Sequence, residues 1–273
     1  MKVRTITAGI VLDLDRMDRQ IEETAVFLLE ARDRFVSQGI EVQTLRISTQ
    51  RWETYPLESM PLGIPEFVSD LEIKVRNEGL DFLSVGPAVT PAGIKMIPSI
   101  IESTTSTCCS AVVADGSGVK VTNIDQAADT VREVSKIASS GMKGFMFAAI
   151  ANCQPDTPFF PASYHIDKAP SFSLGLESGS LVYQASERTR SLKEFTRLLG
   201  HIYNEKLAEV DGIASSLSGE VHYAGTDLSF APGLDESSSI ALSVDRLLGA
   251  TFGSQGTLSA CSAITSSLGA MKM

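Results

Sequence analysis

Short apolar segments of strand length alternate with longer amphipathic segments along the whole chain. This order is typical of parallel strands joined by crossover helices, because each helix carries the chain back to the end of the sheet where the next strand begins. The sequence therefore predicts an α/β fold with mostly parallel strands in a single domain. Several strands are apolar at nearly every position, which indicates helices on both faces of the sheet. The predicted strands are residues 3–12, 40–48, 81–85, 108–114, 145–151, 172–177 and 225–230.

Helices are predicted where apolar residues recur about every 3.6 positions. The third of these segments follows Asn123, which with Gln126 in the first turn has the spacing of a capping box and places the start of the helix at residue 124. A segment rich in small residues, 256–270, is predicted as a closely packed terminal helix. The other predicted helices are 17–36, one that begins near Pro65, 124–138, 192–210 and 239–248.

Charge and composition exclude several classes of partner. The formal net charge is −10 and no cluster of lysine or arginine interrupts it, which argues against nucleic acid. No apolar run approaches the roughly 20 residues that a membrane-spanning helix needs. Four cysteines without a C-x-x-C pair suggest neither a zinc ribbon nor a disulfide framework, so we expect reduced thiols and a cytoplasmic protein.

The long irregular segment 152–171 carries four of the eleven prolines and follows a predicted strand. Loops at the carboxyl ends of parallel strands are where α/β proteins place their sites. Within this segment, His165 lies in sequence between Asp156 and Asp167, which predicts either an acid/base pair or half of a site for a divalent metal. The alternative is a rigid lid whose histidine is hydrogen-bonded structure.

Two further candidates lie in predicted strands. Asp227 stands inside an apolar strand, where an unpaired carboxylate would be costly, so it either faces a cavity or caps the turn at Pro232 and Gly233. Cys108 and Cys109 must point to opposite faces, and Cys109 is the candidate to face a substrate. Nothing beside it in the sequence would lower the pKa of a thiol, so a core position is the alternative.

A glycine-rich segment, GSQGT at 253–257, precedes the predicted terminal helix. Gly253, Gly256 and Thr257 are therefore candidates to hold a carboxylate or phosphate on backbone amides. An ordinary helix entry explains the same pattern. The sequence has no Walker or dinucleotide-binding motif, so no nucleotide cofactor is expected.

Five segments together resemble an uncharacterised family called domain of unknown function 711, or uncharacterised protein family 0210. They occur in the family's order and span nearly the whole chain. The most specific is the irregular segment, where Asn152, Asp156 and His165 keep the family's spacing, and Asn152 joins the candidate ligand-binding residues for that reason. The five segments are RTITAGI (4–10), CSAV (109–112), ANCQPDTPFFPASYH (151–165), DLSFAP (227–232) and GSQGT (253–257).

The resemblance implies a fold similar to the α/β barrel of the pyruvate formate-lyase type, in which a central loop can place cysteines inside the barrel. It transfers no reaction, since fold alone does not define function. The chain lacks the arginine-valine-x-glycine-aromatic pattern of a glycyl-radical loop, which argues against radical chemistry. Family members usually continue past the position of Met273, so we expect an incomplete barrel, and Gln255 stands where the family often has a histidine.

Two functions remain open at this point. The first is an enzyme that acts on a small polar metabolite, with His165 as general acid/base, Asp156 or Asp227 orienting it or binding a divalent cation, and Cys109 near the substrate. The second is a non-catalytic protein that binds a small ligand. A third expectation is binding of a partner or self-association, either of which would cover an open edge of the sheet.

Overall fold

One mixed sheet of eight strands organises the chain, and the computed structural model describes residues 1–56, 63–137 and 141–268. Five strands lie side by side in sequence order and are mutually parallel. They are β1 (Lys2–Gly9), β2 (Val42–Ser48), β3 (Phe82–Ala88), β4 (Thr107–Asp115) and, after a two-residue hairpin strand β5 (Gly118–Val119), β6 (Phe147–Ala151). The other edge of β1 pairs antiparallel with β7 (Ser171–Glu177), which pairs parallel with β8 (His222–Ala231).

Crossover helices connect the parallel strands, as the sequence predicts. Of the eight α-helices in the described part of the chain, α3 and α5 were not predicted, because their apolar positions are close to the neighbouring strands in sequence. The helices are α1 (Met17–Ser37), α2 (Ile64–Asn77), α3 (Pro91–Ser103), α4 (Val121–Ile137), α5 (Gly179–Arg188), α6 (Leu192–Leu217), α7 (Ile240–Leu248) and α8 (Thr257–Leu268). Ala138 and the last residues of the predicted terminal helix lie outside the described residues.

The two faces of the sheet differ in chemistry. Ile6, Ile47, Leu83 and Phe172 point to one face, where they are fully buried against the helices. Alternate residues of the same strands form the opposite face, which we call the polar face, and its members Thr5, Thr7, Ser48, Ser84, Ser171 and Ser173 are also buried.

The prediction of helices on both faces is therefore wrong for the parallel half of the sheet. Strands that follow one another in sequence order are joined by right-handed crossovers, and these place consecutive helices on the same side. Accordingly α1, α2, α3 and α4 pack against their neighbours in a row. The polar face is covered instead by the irregular segment that follows β6.

The barrel implied by the resemblance stays a prediction. β6 and β8 lie at the two ends of the strand order and do not pair with each other. Self-association through such an edge also stays a prediction. Among the described helices, none combines the length and the apolar character that crossing a bilayer requires.

The start of α4 differs from the prediction. The helix begins at Val121, and Asn123 lies inside its first turn with 3% of its surface exposed. Its amide nitrogen donates to the carbonyls of Val89 and Val112 at 3.0 and 2.7 Å. Asn123 thus fastens α4 to the ends of two strands, and the capping-box interpretation was wrong because a tertiary contact uses the side chain that the local pattern assigned to the cap.

Glu72 of α2 is a buried carboxylate that no sequence pattern marked. It accepts hydrogen bonds from the backbone and side chains of Thr105 and Ser106, in the turn before β4. Burial alone would raise the pKa of Glu72, but these bonds outweigh burial and the pKa is lowered. The carboxylate therefore fixes the entry of β4 against α2.

Glu72→Gln is expected to lower the free energy of unfolding at pH 7 by about 2 kcal/mol, because bonds to a charged acceptor become bonds to a neutral one. A lowered folded pKa contributes stability above the unfolded value of about 4.3 and loses it as the pH falls. The difference between wild type and Glu72→Gln should therefore shrink below pH 4 in urea titrations. An equal difference at pH 7 and pH 3.5 would contradict this assignment.

Candidate functional site

The segment from Asn152 to Pro170, here called the crossing segment, lies on the polar face. The hydroxyl of Ser84 donates to the carbonyl of Ser163 at 2.6 Å, and the backbone N–H of His165 donates to the carbonyl of Thr49 at 3.0 Å. The guanidinium of Arg46 on β2 lies over the ring of Phe160, 5.0 Å from its centroid. The crossing segment is therefore anchored to β2 and β3, the central strands of the sheet.

His165 and Asp156, both predicted site residues, are in direct contact. Nδ1 of His165 lies 2.6 Å from Oδ1 of Asp156, and Nε2 lies 3.1 Å from the carbonyl oxygen of Ala169. Ser171, the first residue of β7, donates its hydroxyl to the same carboxylate oxygen at 2.7 Å. The imidazole is buried, with 1% of its side chain exposed, whereas 18% of the Asp156 side chain is exposed.

Both ring nitrogens of His165 thus face acceptors, an arrangement that suits the doubly protonated imidazolium. Burial by itself would lower the pKa of His165, but the hydrogen bond and the charge of Asp156 outweigh burial and raise it. For Asp156, burial would raise the pKa, and the bonds from His165 and Ser171 together lower it. Both shifts favour the charged form of each partner.

The backbone of the crossing segment is strained at two residues that are not glycine. Asn152 has a φ of 50° and Asp156 a φ of 62°, both in the left-handed region. Asp156 is held there because its N–H donates to the carbonyl of Tyr164 at 2.8 Å, which closes the segment on itself. Such conformations cost of order 1–3 kcal/mol each and persist where the surroundings impose them, often at functional sites.

Asp227 lies on β8 opposite Gly175, further along the sheet than the contact between Asp156 and Ser171. Its carboxylate accepts from the N–H and the hydroxyl of Ser229, both at 2.9 Å. It does not cap the turn at Pro232, which was the alternative.

Asp227 and Asp156 line one cavity of about 260 Å³ between residues 154–158 and the strands β7 and β8. We call it the acidic cavity. Of the predicted catalytic residues, the structure therefore brings His165 and Asp156 into contact, and Asp156 and Asp227 onto one cavity wall. Ser173 adds a hydroxyl group to that wall, whereas the hydroxyl of Thr226 is bonded to Tyr223 and Asp211.

Cys109 does not take the position predicted for it. It is fully buried on the helix side of β4, and burial raises the pKa of its thiol well above the ordinary value. Cys108, paired with Ser84, is the thiol on the side of the polar face. Its sulfur lies 3.6 Å from the Met146 sulfur, and burial raises its pKa to about 12. Neither thiol is prepared to act as a nucleophile, so the core interpretation of Cys109 is the better one.

The GSQGT segment forms the entry of α8, and none of its residues lines the acidic cavity. The N–H of Gly253 donates to the Thr257 hydroxyl at 3.0 Å, and the N–H of Thr257 donates to the carbonyl of Ser254. Gly253 and Gly256 have positive φ angles of 96° and 99°, which explains why glycine stands at both positions. The contacts favour an ordinary helix entry over an anion site.

No three histidine, cysteine, aspartate or glutamate side chains converge as a metal site within residues 1–56, 63–137 and 141–268. His165 has no free nitrogen for a metal while both of its bonds are in place.

Sequence reasoning missed two residues that position the pair of His165 and Asp156, namely Ser171 and Gly9. A Cβ on Gly9 would lie 2.7 Å from Nδ1 of His165, so the strand end must be glycine for the ring to fit.

Comparison with known proteins identifies the family of this chain. The model of the family described as Uncharacterised ACR (DUF711) matches residues 1–273, and the chain belongs to that family. This confirms the resemblance noted in the sequence.

Curated relatives carry the name UPF0210 protein. One from Lactococcus lactis subsp. cremoris strain MG1363 is 24% identical over 290 aligned residues, which cover 94% of this chain and 63% of the relative. Another, from Streptococcus mutans serotype c, is 24% identical over 286 residues with the same coverage. The chain thus spans less than two thirds of the length of these relatives.

Proposed function

We propose that the protein binds a small polar molecule in the acidic cavity, with the carboxylates of Asp156 and Asp227 accepting hydrogen bonds from it. The observation that carries this proposal is the shared cavity wall: two carboxylates from distant parts of the chain, one held by a buried imidazole, beside the hydroxyl of Ser173. Concave sites with a few convergent polar groups are the usual place for small ligands.

The charge of the cavity defines the class of ligand. His165 compensates the charge of Asp156, while Asp227, among the described residues, is bonded only to the neutral groups of Ser229. The wall therefore keeps a net negative charge in a protein whose formal charge is −10. Molecules with ammonium groups or several hydroxyl groups fit such a wall, because they donate hydrogen bonds and do not add negative charge.

In this proposal His165 is a positioning residue for Asp156. A buried ring with both nitrogens bonded exchanges a proton with a ligand only after one of those bonds opens, so its predicted role as general acid/base remains a prediction. A divalent metal at Asp156 and Asp227 likewise remains a prediction.

Catalysis is the second candidate function, and one observation favours it. The left-handed backbone at Asn152 and Asp156 holds strain next to accessible carboxylates, as is common in active sites. The group that would then transfer a proton is Asp227 or Asp156. NMR titration of the His165 ring distinguishes the candidates: a ring that gains solvent exchange when ligand binds supports catalysis, and a ring that stays protected supports binding alone.

Asp227→Asn tests the binding proposal. Wild type is expected to show a saturable rise in melting temperature with at least one of ethanolamine, glucosamine and myo-inositol, since a ligand at 100 times its Kd adds about 2.7 kcal/mol of apparent stability. In Asp227→Asn at the same concentration, the rise should fall by at least half, because the carboxamide keeps one acceptor but loses the charge.

Glu22→Gln, a change of the same chemistry on the exposed surface of α1, is the matched control and should bind as wild type does. Equal loss of binding in both variants would show a general charge effect and not a site. No response to any of the three compounds would remove the support for this ligand class.

A further inference from the structure

A second cavity, of about 280 Å³, lies at the carboxyl ends of β3, β4 and β6. Its walls are largely apolar, with Val89, Val112 and Ile150 among them. Polar side chains also line it, among them Arg51, Asp115, Asn152 and Tyr164. The volume is at the lower end of the ~300–1,000 Å³ typical of ligand cavities, so it suits a small molecule.

Two ionised side chains line this cavity, and their environments differ. Asp115 is paired with Lys120 at 3.0 Å and accepts further hydrogen bonds from Ser117. Arg51, in contrast, forms no ion pair and no side-chain hydrogen bond with the residues that the structure describes. Among the described residues, the charge of Asp115 is therefore compensated and that of Arg51 is not, so their side chains give the cavity a positive charge in a chain of strongly negative net charge.

The position of Arg51 is fixed by a close backbone contact. Gly86 on β3 has a φ of 73°, and a Cβ at that position would lie 3.0 Å from the Arg51 Cα. Glycine at residue 86 thus lets the chain that carries Arg51 approach the strand end. Asn152, which also lines the cavity, is one of the two residues with strained left-handed backbone. The left-handed backbone at Gly86 and Asn152 therefore shapes the cavity, and such conformations persist only where the surrounding structure imposes them.

Tyr164 also lines this cavity and carries a hydroxyl group. It donates to the carbonyl of Cys153 at 2.9 Å, which orients its lone pairs away from that carbonyl. Burial raises the pKa of Tyr164, and the charge of Arg51 opposes that rise. Both side chains line the same cavity. The phenol is neutral and does not compete for the guanidinium as a carboxylate would.

We propose that this cavity binds a small organic oxyanion, a carboxylate or a phosphate monoester, with Arg51 holding the anionic group and the walls of Val89, Val112 and Ile150 holding a short apolar body. The planar guanidinium offers parallel N–H groups that match either oxyanion. This site is distinct from the acidic cavity, with which it shares no lining residue.

The test uses ligands that differ in charge but little in shape. Isovalerate and monobutyl phosphate are the anionic probes, and isovaleramide is the neutral counterpart of isovalerate. In ¹H–¹⁵N NMR titrations of wild type, at least one anion is expected to shift the backbone amides of Asn152 and Cys153 in a saturable way. Isovaleramide should bind at least tenfold more weakly than isovalerate if isovalerate is the anion bound. The anion with the larger response identifies the carboxylate or the phosphate class.

Arg51→Gln is expected to weaken binding of the responding anion at least tenfold with an unchanged melting temperature in its absence. Arg34→Gln, an exposed arginine near the end of α1, is the matched control and should bind as wild type does. Asp227→Asn should also bind as wild type does, which separates this site from the acidic cavity. Absence of any response to both anions, tight binding of isovaleramide, or wild-type affinity in Arg51→Gln would each overturn the proposal. The comparison of ligands on wild type stands even if Arg51→Gln does not fold.

Discussion

His165→Ala is expected to lower the free energy of unfolding at pH 6 by about 4 kcal/mol, the size of effect that follows when one partner of a buried ion pair is removed. The substitution removes a ring that is 1% exposed and leaves Asp156 without its closest partner. It also releases the carbonyl of Ala169 and the contact with Ser171. These losses act together because all of them fix the same turn of the crossing segment.

The effect should depend on pH with a defined sign. The raised pKa of His165 contributes stability that is complete below the unfolded value of about 6.5 and is lost as the pH rises through the folded value. The lowered pKa of Asp156, to which the charge of His222 also contributes, stabilises above about pH 4 and is lost below it. The difference between wild type and His165→Ala should therefore be largest near pH 6 and smaller at pH 9.

Urea titrations at both pH values, followed by circular dichroism, measure this difference. His201→Ala is the matched control, because His201 lies on α6 with 69% of its side chain exposed and should change stability by less than about 0.5 kcal/mol. A destabilisation by His165→Ala that is larger at pH 9 than at pH 6 would mean that the buried ring is neutral, and the account of the charged pair would then be wrong.

Gly9→Ala is expected to destabilise the protein by about 3 kcal/mol, the upper part of the range for overpacking a filled interior. The new methyl group would lie 2.7 Å from Nδ1 of His165 and 2.9 Å from the hydroxyl of Ser171. Neither atom can yield easily, since Nδ1 is bonded to Asp156 and the hydroxyl is bonded to the same carboxylate. The ring must therefore leave its place or the end of β1 must move.

Gly212→Ala is the matched control for this prediction. Gly212 lies inside α6, and a Cβ there meets nothing within 4 Å. Alanine should stabilise that helix by up to about 1 kcal/mol, so the two substitutions of the same kind should change the melting temperature in opposite directions. The His165 ring signals in the NMR spectrum should shift in Gly9→Ala and stay in place in Gly212→Ala. Unshifted ring signals in Gly9→Ala would contradict the predicted clash.

Much of the fold was predictable because it depends on local periodicity. The strand segments and the longer helices follow the spacing of apolar residues, and parallel strands with crossover helices follow from their alternation. The helices α3 and α5 were missed because each begins within three residues of a strand, and a short apolar run does not distinguish the two. The start of α4 was missed because Asn123 bonds to two strand carbonyls.

The candidate site was predictable only in its residue types. The irregular segment, with its histidine between aspartates, predicted that Asp156 and His165 belong together, and the structure places them in contact. No sequence pattern indicated that both ring nitrogens of His165 are hydrogen-bonded, that Gly9 must leave room for the ring, or that Cys109 faces the helices. Arg51 was not a candidate at all, because a lone arginine after a strand has no distinguishing local pattern.

The sequence by itself determined the alternation of strands with the longer helices, the family, and the segment that carries the candidate residues, since all of these depend on neighbours along the chain. The tertiary structure decided which face of the sheet is polar, which carboxylates share a cavity and which charges are compensated. Those properties depend on contacts between residues far apart in sequence, and the free energy of a charge is set by what surrounds it in space.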